Sequence, residues 1–202
     1  LWRFGQIDIL QRFQIHPIAK RLMQFTFVDR VLQLEPGVKI TTLKCLSMAE
    51  EYLADHFPRF PVMPGVLMLQ AMTDASALLI GATEDFTHSI ITLKEARNIR
   101  FADFVQPGRV LTVTSEIHKL DGRDVEFKAQ GMLDGRTAVS GRLVLERYNL
   151  AETRPILADT DAHLREHQRS RLSLLYHPVD PQAEQEAAPS SASKAPSSVG
   201  KV

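Results

Sequence analysis

Apolar residues recur along much of this chain with a period of two, and one stretch breaks that rhythm by having almost no polar face. MQFTFVDRVLQLEPGVKITTLKCL reads as two strands joined at Pro36-Gly37, a turn pair. SMAEEYLADHF places Ser47 at an N-cap position with Glu50 three residues later, the capping-box pattern of a short helix. After Pro64-Gly65 comes VLMLQAMTDASALLI. Proline suits a first helical position, and a helix this apolar on every side must be enclosed by other elements. Beyond Gly81 the period of two returns in SIITLKEARNIRF, RVLTVTSEIHKL, RDVEFKAQGML and RTAVSGRLVLERY. The last three are linked by Asp121-Gly122 and Asp134-Gly135, and a DG pair between alternating runs signals a hairpin. The pattern predicts an α+β domain in which a mostly antiparallel sheet of five to six strands wraps round one long central helix.

That domain is expected to span residues 22–150, after an N-terminal extension at 1–21. Residues 151–177 suit an accessory helix, with Asp159 or Thr160 as cap and Leu164, Leu172 and Leu175 near helical spacing. Its many charges suit a solvated face; a basic docking helix for an acidic partner is the alternative. Residues 178–202 are rich in Pro, Ala and Ser and almost free of large apolar groups, so a disordered tail is expected.

Composition narrows the function classes. The chain has 202 residues, enough for one domain with appendages, and 24 basic residues match 24 acidic ones. That balance gives no signal for nucleic acid or a membrane surface as partner. One cysteine, Cys45, excludes an internal disulfide framework and a cysteine-based zinc site, and its apolar neighbours suit a small strand or core residue rather than a catalytic thiol. The longest apolar run, Phe60 to Thr73, holds two prolines and a glutamine and is too short and broken to span a bilayer. The opening LWRFGQIDIL lacks the basic head and apolar core of a secretory signal, so the cytoplasm is the expected compartment. There is no phosphate-binding glycine loop, and neither a metal nor a cofactor is expected.

The chemistry concentrates in HFPRFPVMPGVLMLQAM, residues 56–72. Phe57, Pro58 and Pro61 make a stiff loop around His56. Gly65 sits where the N–H groups of the following helix lack partners and its dipole is positive, a place that can hold a developing oxyanion. A histidine titrates near pH ~6.5, so it can take up and return a proton. A base beside an oxyanion-binding N–H is the minimum equipment for removing a proton next to a carbonyl.

This run resembles the FabZ/FabA-type 3-hydroxyacyl-acyl-carrier-protein dehydratases, which share the hot-dog fold. The family pattern is roughly HFPGxPVMPGVLxxEAMAQ, and this chain reads HFPRFPVMPGVLMLQAMTD. FTFVDRVLQLEPG is similar to the family's first strand and turn, and NIRFADFVQPGRVLTV to its FRRPVxPGDxL segment. The similarity covers about residues 7–148. It implies reversible dehydration of a 3-hydroxyacyl thioester to the trans-2-enoyl product in fatty acid biosynthesis, without a cofactor. It also implies that His56 is the base and Gly65 the oxyanion donor, and that Phe60, Val62, Met63 and Val66 border an acyl tunnel. The partners implied are an acyl-carrier protein or a coenzyme A thioester, and a second subunit.

Three departures stand out. Gln70 occupies the family's acid position, and an amide cannot give up a proton as a carboxylic acid does. Arg59 replaces a glycine, and Asp74 replaces the glutamine four residues after the acid, so the pair on that helix face is reversed. Three readings stay open: Asp74 supplies the acid; the site is shared with a Glu-bearing paralogue in a heterodimer to which this chain gives His56; or the groove only binds acyl thioesters. An acyl thioesterase using Asp74 to direct water is a further alternative. For an acidic carrier, Arg59, Lys94, Arg97, Arg100 and Arg109 are the candidate docking residues.

Overall fold

The computed structural model describes residues 27–177. The expected extension at 1–21 and tail at 178–202 lie outside the described residues. Six strands form one antiparallel sheet: β1 (Arg30–Glu35), β2 (Lys39–Cys45), β3 (Ile90–Phe101), β4 (Val110–Asp121), β5 (Asp124–Leu133) and β6 (Arg136–Tyr148). Their spatial order is β1-β2-β4-β5-β6-β3, so β1 and β3 are the edges. A short helix α1 (Tyr52–Asp55) and the long α2 (Gly65–Thr83) sit between β2 and β3. The third helix, α3 (Ala158–Leu175), closes the described part of the chain.

Alternation does what the pattern predicts. Ile40 and Thr42 on β2, Leu111, Val113 and Ser115 on β4, and Val125, Phe127 and Ala129 on β5 are all buried, with their intervening neighbours facing out. These side chains meet α2, which packs against five of the six strands. Met68, Ala71, Met72, Ala75, Leu78 and Leu79 fill the interior from the helix side. A polar pair between α2 and β4 is satisfied: Ser76 and Ser115 hydroxyls lie 2.6 Å apart, and Ser76 also lies 2.8 Å from the Met72 carbonyl. Both DG turns are tight two-residue loops. Asp134 and Gly135 both have positive φ, 49° and 79°, which gives the right-twisting turn that matches the strands.

Several local expectations need correction. Ser47 and Glu50 do not form a capping box: α1 begins at Tyr52 with no side-chain cap. Ser47 instead accepts from the Ala49 N–H, and Glu50 is drawn to Lys44, because an ion pair against a buried ammonium outweighs a cap on a four-residue helix. Pro64 is the residue before α2, with extended ψ, and Gly65 takes the first helical position. α3 starts two to three residues earlier than expected, after a 3-10 turn at Pro155–Leu157, so neither Asp159 nor Thr160 caps it. α2 runs 19 residues, longer than the run seen in sequence, and by length and composition alone it could cross a membrane; here it is the enclosed helix of the domain, more than half buried.

α3 is not merely a solvated appendage. Asp161, 1% exposed, accepts from the backbone N–H groups of Leu150 (3.0 Å) and Ala151 (2.8 Å) and from the Ser89 hydroxyl. Burial pushes its carboxyl up, but the Ser89 hydroxyl, the two N–H groups and the nearby Arg165 outweigh that and hold it below the usual carboxylate range. Leu172, Leu175 and Tyr176 then pack on the core.

Candidate active site

The histidine segment is fastened from below. Lys44 on β2, 5% exposed, has its ammonium 2.9 Å from Glu50 and 3.3 Å from Asp29. Asp29 also accepts the Cys45 N–H at 2.6 Å. Burial alone would lower the Lys44 pKa, but Glu50 and Asp29 together raise it above the ordinary lysine value. Tyr52 lies beside this cluster, and burial, with Glu50 and Asp29 nearby, pushes its phenol up as well. α1 is too short to hold itself, so this ion-paired cluster fixes the chain that leads into His56.

His56 ends α1 in an extended conformation. The next residue, Phe57, has φ 50°, a left-handed conformation that is costly for a side chain of this size. The loop tolerates it because the Phe60 N–H bonds back to the Phe57 carbonyl at 2.8 Å and the Phe57 ring sits edge-on to the imidazole, 4.6 Å between centroids. Further on, the Met63 N–H donates to the Val105 carbonyl at 2.8 Å, which pins the loop to the segment between β3 and β4.

His56 and Gly65 line one cavity of about 300 Å³, together with Val62, Met63, Met68, Phe101, Ala102, Asp103 and Phe104. Gly65 opens a 19-residue helix, so its N–H stands at a positive helix end. A Cβ there would come within 3.1–3.3 Å of the Phe101 ring, which explains the glycine. Of the residues expected to border an acyl tunnel, Val62 and Met63 line the cavity, each 1% exposed. Phe60 borders the next groove with Phe57, Pro58 and Arg59, and its ring meets Phe104 edge-on at 5.9 Å. Val66 is 69% exposed and outside both.

Gln70 and Asp74 are not brought to this cavity. They lie about 140° and 180° round the helix from Gly65, and their face turns toward α3. Gln70 Nε2 donates to Asp74 at 2.7 Å, and Arg171 from α3 lies 3.3 Å from the other Asp74 oxygen. Asp74 borders a separate cleft with Ala77, Leu78, Phe86, Ile91, Gln168 and Arg171. The candidate docking residues scatter. Arg97 pairs with Glu95 at 2.6 Å, Lys94 with Asp124 at 2.7 Å, and Arg109 with Asp134. Arg59 and Arg100 have no ion pair among the described residues; Arg100 lines a broad groove on the sheet with His118, Lys128 and Arg142. No group of three metal-ligating side chains occurs among the described residues.

Phe101, Ala102, Asp103, Phe104 and Met68 are cavity residues that the sequence reading did not single out. The available signal was FADF itself, a turn of two exposed aromatics and a carboxylate just where a strand pattern ends.

Three comparisons bear on what this site is. A family model described as FabA-like domain matches residues 19–147. The chain is 30% identical over 135 residues to 3-hydroxyacyl-[acyl-carrier-protein] dehydratase FabZ of Ruminiclostridium cellulolyticum, covering 67% of this chain and 95% of that one. It is 38% identical over 136 residues to the protein of the same name from Variovorax paradoxus, covering 64% and 91%. Among solved structures it resembles the dehydratase heterocomplex ApeI:P from Xenorhabdus doucetiae, with a TM-score of 0.55 at 17% identity, over 66% of this chain and 90% of that one. That likeness speaks for the fold, and the sheet wrapped over one helix is the hot-dog arrangement. With one family model spanning the whole sheet-and-helix domain and relatives aligned along nearly their full lengths, the chain belongs to the FabA-like family of hot-dog dehydratases.

Proposed function

We propose that this protein dehydrates 3-hydroxyacyl thioesters, reversibly, to trans-2-enoyl thioesters. The observation that carries the reading is that His56 and Gly65 line one cavity, with mostly apolar walls. The imidazole takes the proton from the carbon next to the thioester carbonyl. The Gly65 N–H, at the positive end of α2, holds the charge that moves onto the thioester oxygen. Val62, Met63 and Phe104 receive the acyl chain. The thioester is borne by an acyl-carrier protein or coenzyme A.

The working unit is at least a dimer. Phe57, Phe60, Val66, Phe101 and Phe104 are all between 48% and 69% exposed; Phe101 and Phe104 line the His56 cavity, and Phe101 ends the long edge strand β3. An edge strand flanked by exposed aromatics suits burial against a second copy. In such an assembly Gln70 of one subunit would have to approach His56 of the other, since within one chain they face apart. A heterodimer with a Glu-bearing paralogue is the alternative assembly. A thioesterase role for Asp74 has less support, because its carboxylate is already engaged by Gln70 and Arg171.

Hydration of a 2-enoyl thioester by the purified protein, followed by loss of enoyl absorbance, tests the reading. Activity abolished by His56→Ala is expected; unchanged turnover in that variant overturns the base assignment. Release of free thiol with no change in enoyl absorbance would instead mark a thioesterase.

A further inference from the structure

The family resemblance looks for an acid along α2, where this chain has only an amide and a carboxylate tied to α3. A different carboxylate lines the His56 cavity: Asp103, the one acidic side chain among the described residues of its walls. It sits on the turn between β3 and β4, held by the hydrogen bonds of Ala102 and Asp103 N–H to the Ala138 carbonyl. One carboxylate oxygen accepts the Phe104 N–H at 2.8 Å, which orients the side chain; the other is 3.8 Å from Arg136 of β6, a loose contact at the surface. Among the described residues the ion-pair partner of Asp103 is Arg136, and His56 is not paired with it. Elimination uses two such groups, because the proton leaves the α-carbon while the hydroxyl leaves the β-carbon.

We propose that Asp103 is the general acid of this site, taking the role that Gln70 cannot fill; this rests on the dehydratase reading above. His56 takes the α-proton, the C–H electron pair becomes the Cα=Cβ bond, and the Cβ–O bond breaks. The hydroxyl takes the Asp103 proton and departs as water. The imidazolium then returns its proton through solvent to the Asp103 carboxylate, restoring both groups. Gln70 is left to orient, since an amide only offers a hydrogen bond.

The test is enoyl-pantetheine hydration by the full chain, wild type beside Asp103→Asn, Gln70→Glu and the double variant. Asparagine keeps the oxygen that accepts the Phe104 N–H, so the fold is expected to survive, with a melting curve as the check. Asp103→Asn is expected to lower kcat by ~10²–10⁴-fold with KM within about threefold, the span typical of a lost general acid. Adding Gln70→Glu to Asp103→Asn is expected to recover at least about tenfold, because it puts a carboxylic acid back at the family position; a merely structural Asp103 would not be rescued that way. Wild-type kcat in Asp103→Asn overturns the proposal. An inactive wild type with an active Gln70→Glu also overturns it while leaving the dehydratase reading intact. Inactivity of both overturns the dehydratase reading and this proposal together.

Discussion

Arg171 reaches from α3 to within 3.3 Å of the Asp74 carboxylate on α2, so the last described helix closes over the helix face where the family resemblance places its acid. The pair is partly buried, with side chains 30% and 14% exposed, and Gln70 completes it from one turn earlier. Asp74 thus serves α3 packing. Arg171→Met is expected to destabilise the protein by about 1–2 kcal/mol, since it leaves a partly buried carboxylate short of its cation. Thermal melting measures the loss, and enoyl hydration changing by less than about tenfold would separate this role from a catalytic one.

The Lys44 cluster predicts a larger effect. Lys44→Met leaves Asp29 and Glu50 facing each other without their ammonium. A fully buried pair broken this way costs about 3–5 kcal/mol; both carboxylates here keep some exposure, so about 2–3 kcal/mol is expected. Because the folded Lys44 pKa is raised, its contribution is complete below the unfolded lysine pKa and is lost as pH rises through the folded one. Melting temperature against pH in the alkaline range, wild type beside Lys44→Met, checks both points. The cluster also leads into the His56 segment, so kcat should fall along with stability.

Gly65→Ala presses a methyl against the Phe101 ring at 3.1–3.3 Å. Phe101 is 51% exposed and can swing away, so the stability cost is expected to stay below about 1 kcal/mol. The displaced ring still borders the His56 cavity, and kcat should fall at least about tenfold. Adding Phe101→Ala should return much of that rate; no recovery would place the fault at the Gly65 N–H itself.

Asp161 makes α3 docking sensitive to acid. Its folded pKa is depressed, so its contribution is present above the ordinary aspartate pKa and is lost as pH falls through the folded value. Hydrogen exchange of residues 158–175 should rise in that acidic range before exchange of β5 does. In Asp161→Asn the same helix should exchange faster at neutral pH and lose its acid dependence.

Much of the fold was legible in the chain. Period-two alternation gave β2, β4 and β5 their buried faces, and the two DG pairs marked both tight turns, because these signals are local. The apolar α2 announced that something must wrap it. His56, Gly65, Val62 and Met63 were legible as well, since a proline-rich loop and a helix start are written in consecutive residues. Local pattern failed where long-range partners competed. Glu50 left its cap for Lys44, and α3 began without Asp159 or Thr160 because Asp161 was taken by Ser89 and the backbone at 150–151.

Sequence by itself therefore determined the family and the sheet-and-helix architecture, and it singled out His56 as the candidate base. Only the tertiary structure decided which side chains share its cavity. Gln70 and Asp74 are near Gly65 in sequence, yet helical rotation turns them away and Arg171 holds them there. Asp103 is 47 residues beyond His56 in the numbering; the pairing of β3 with β6, extended by the Asp103 N–H to the Ala138 carbonyl, holds it where the chain lines the same cavity. Spacing along a chain sets what each segment becomes; which groups then face one another depends on how the segments pack.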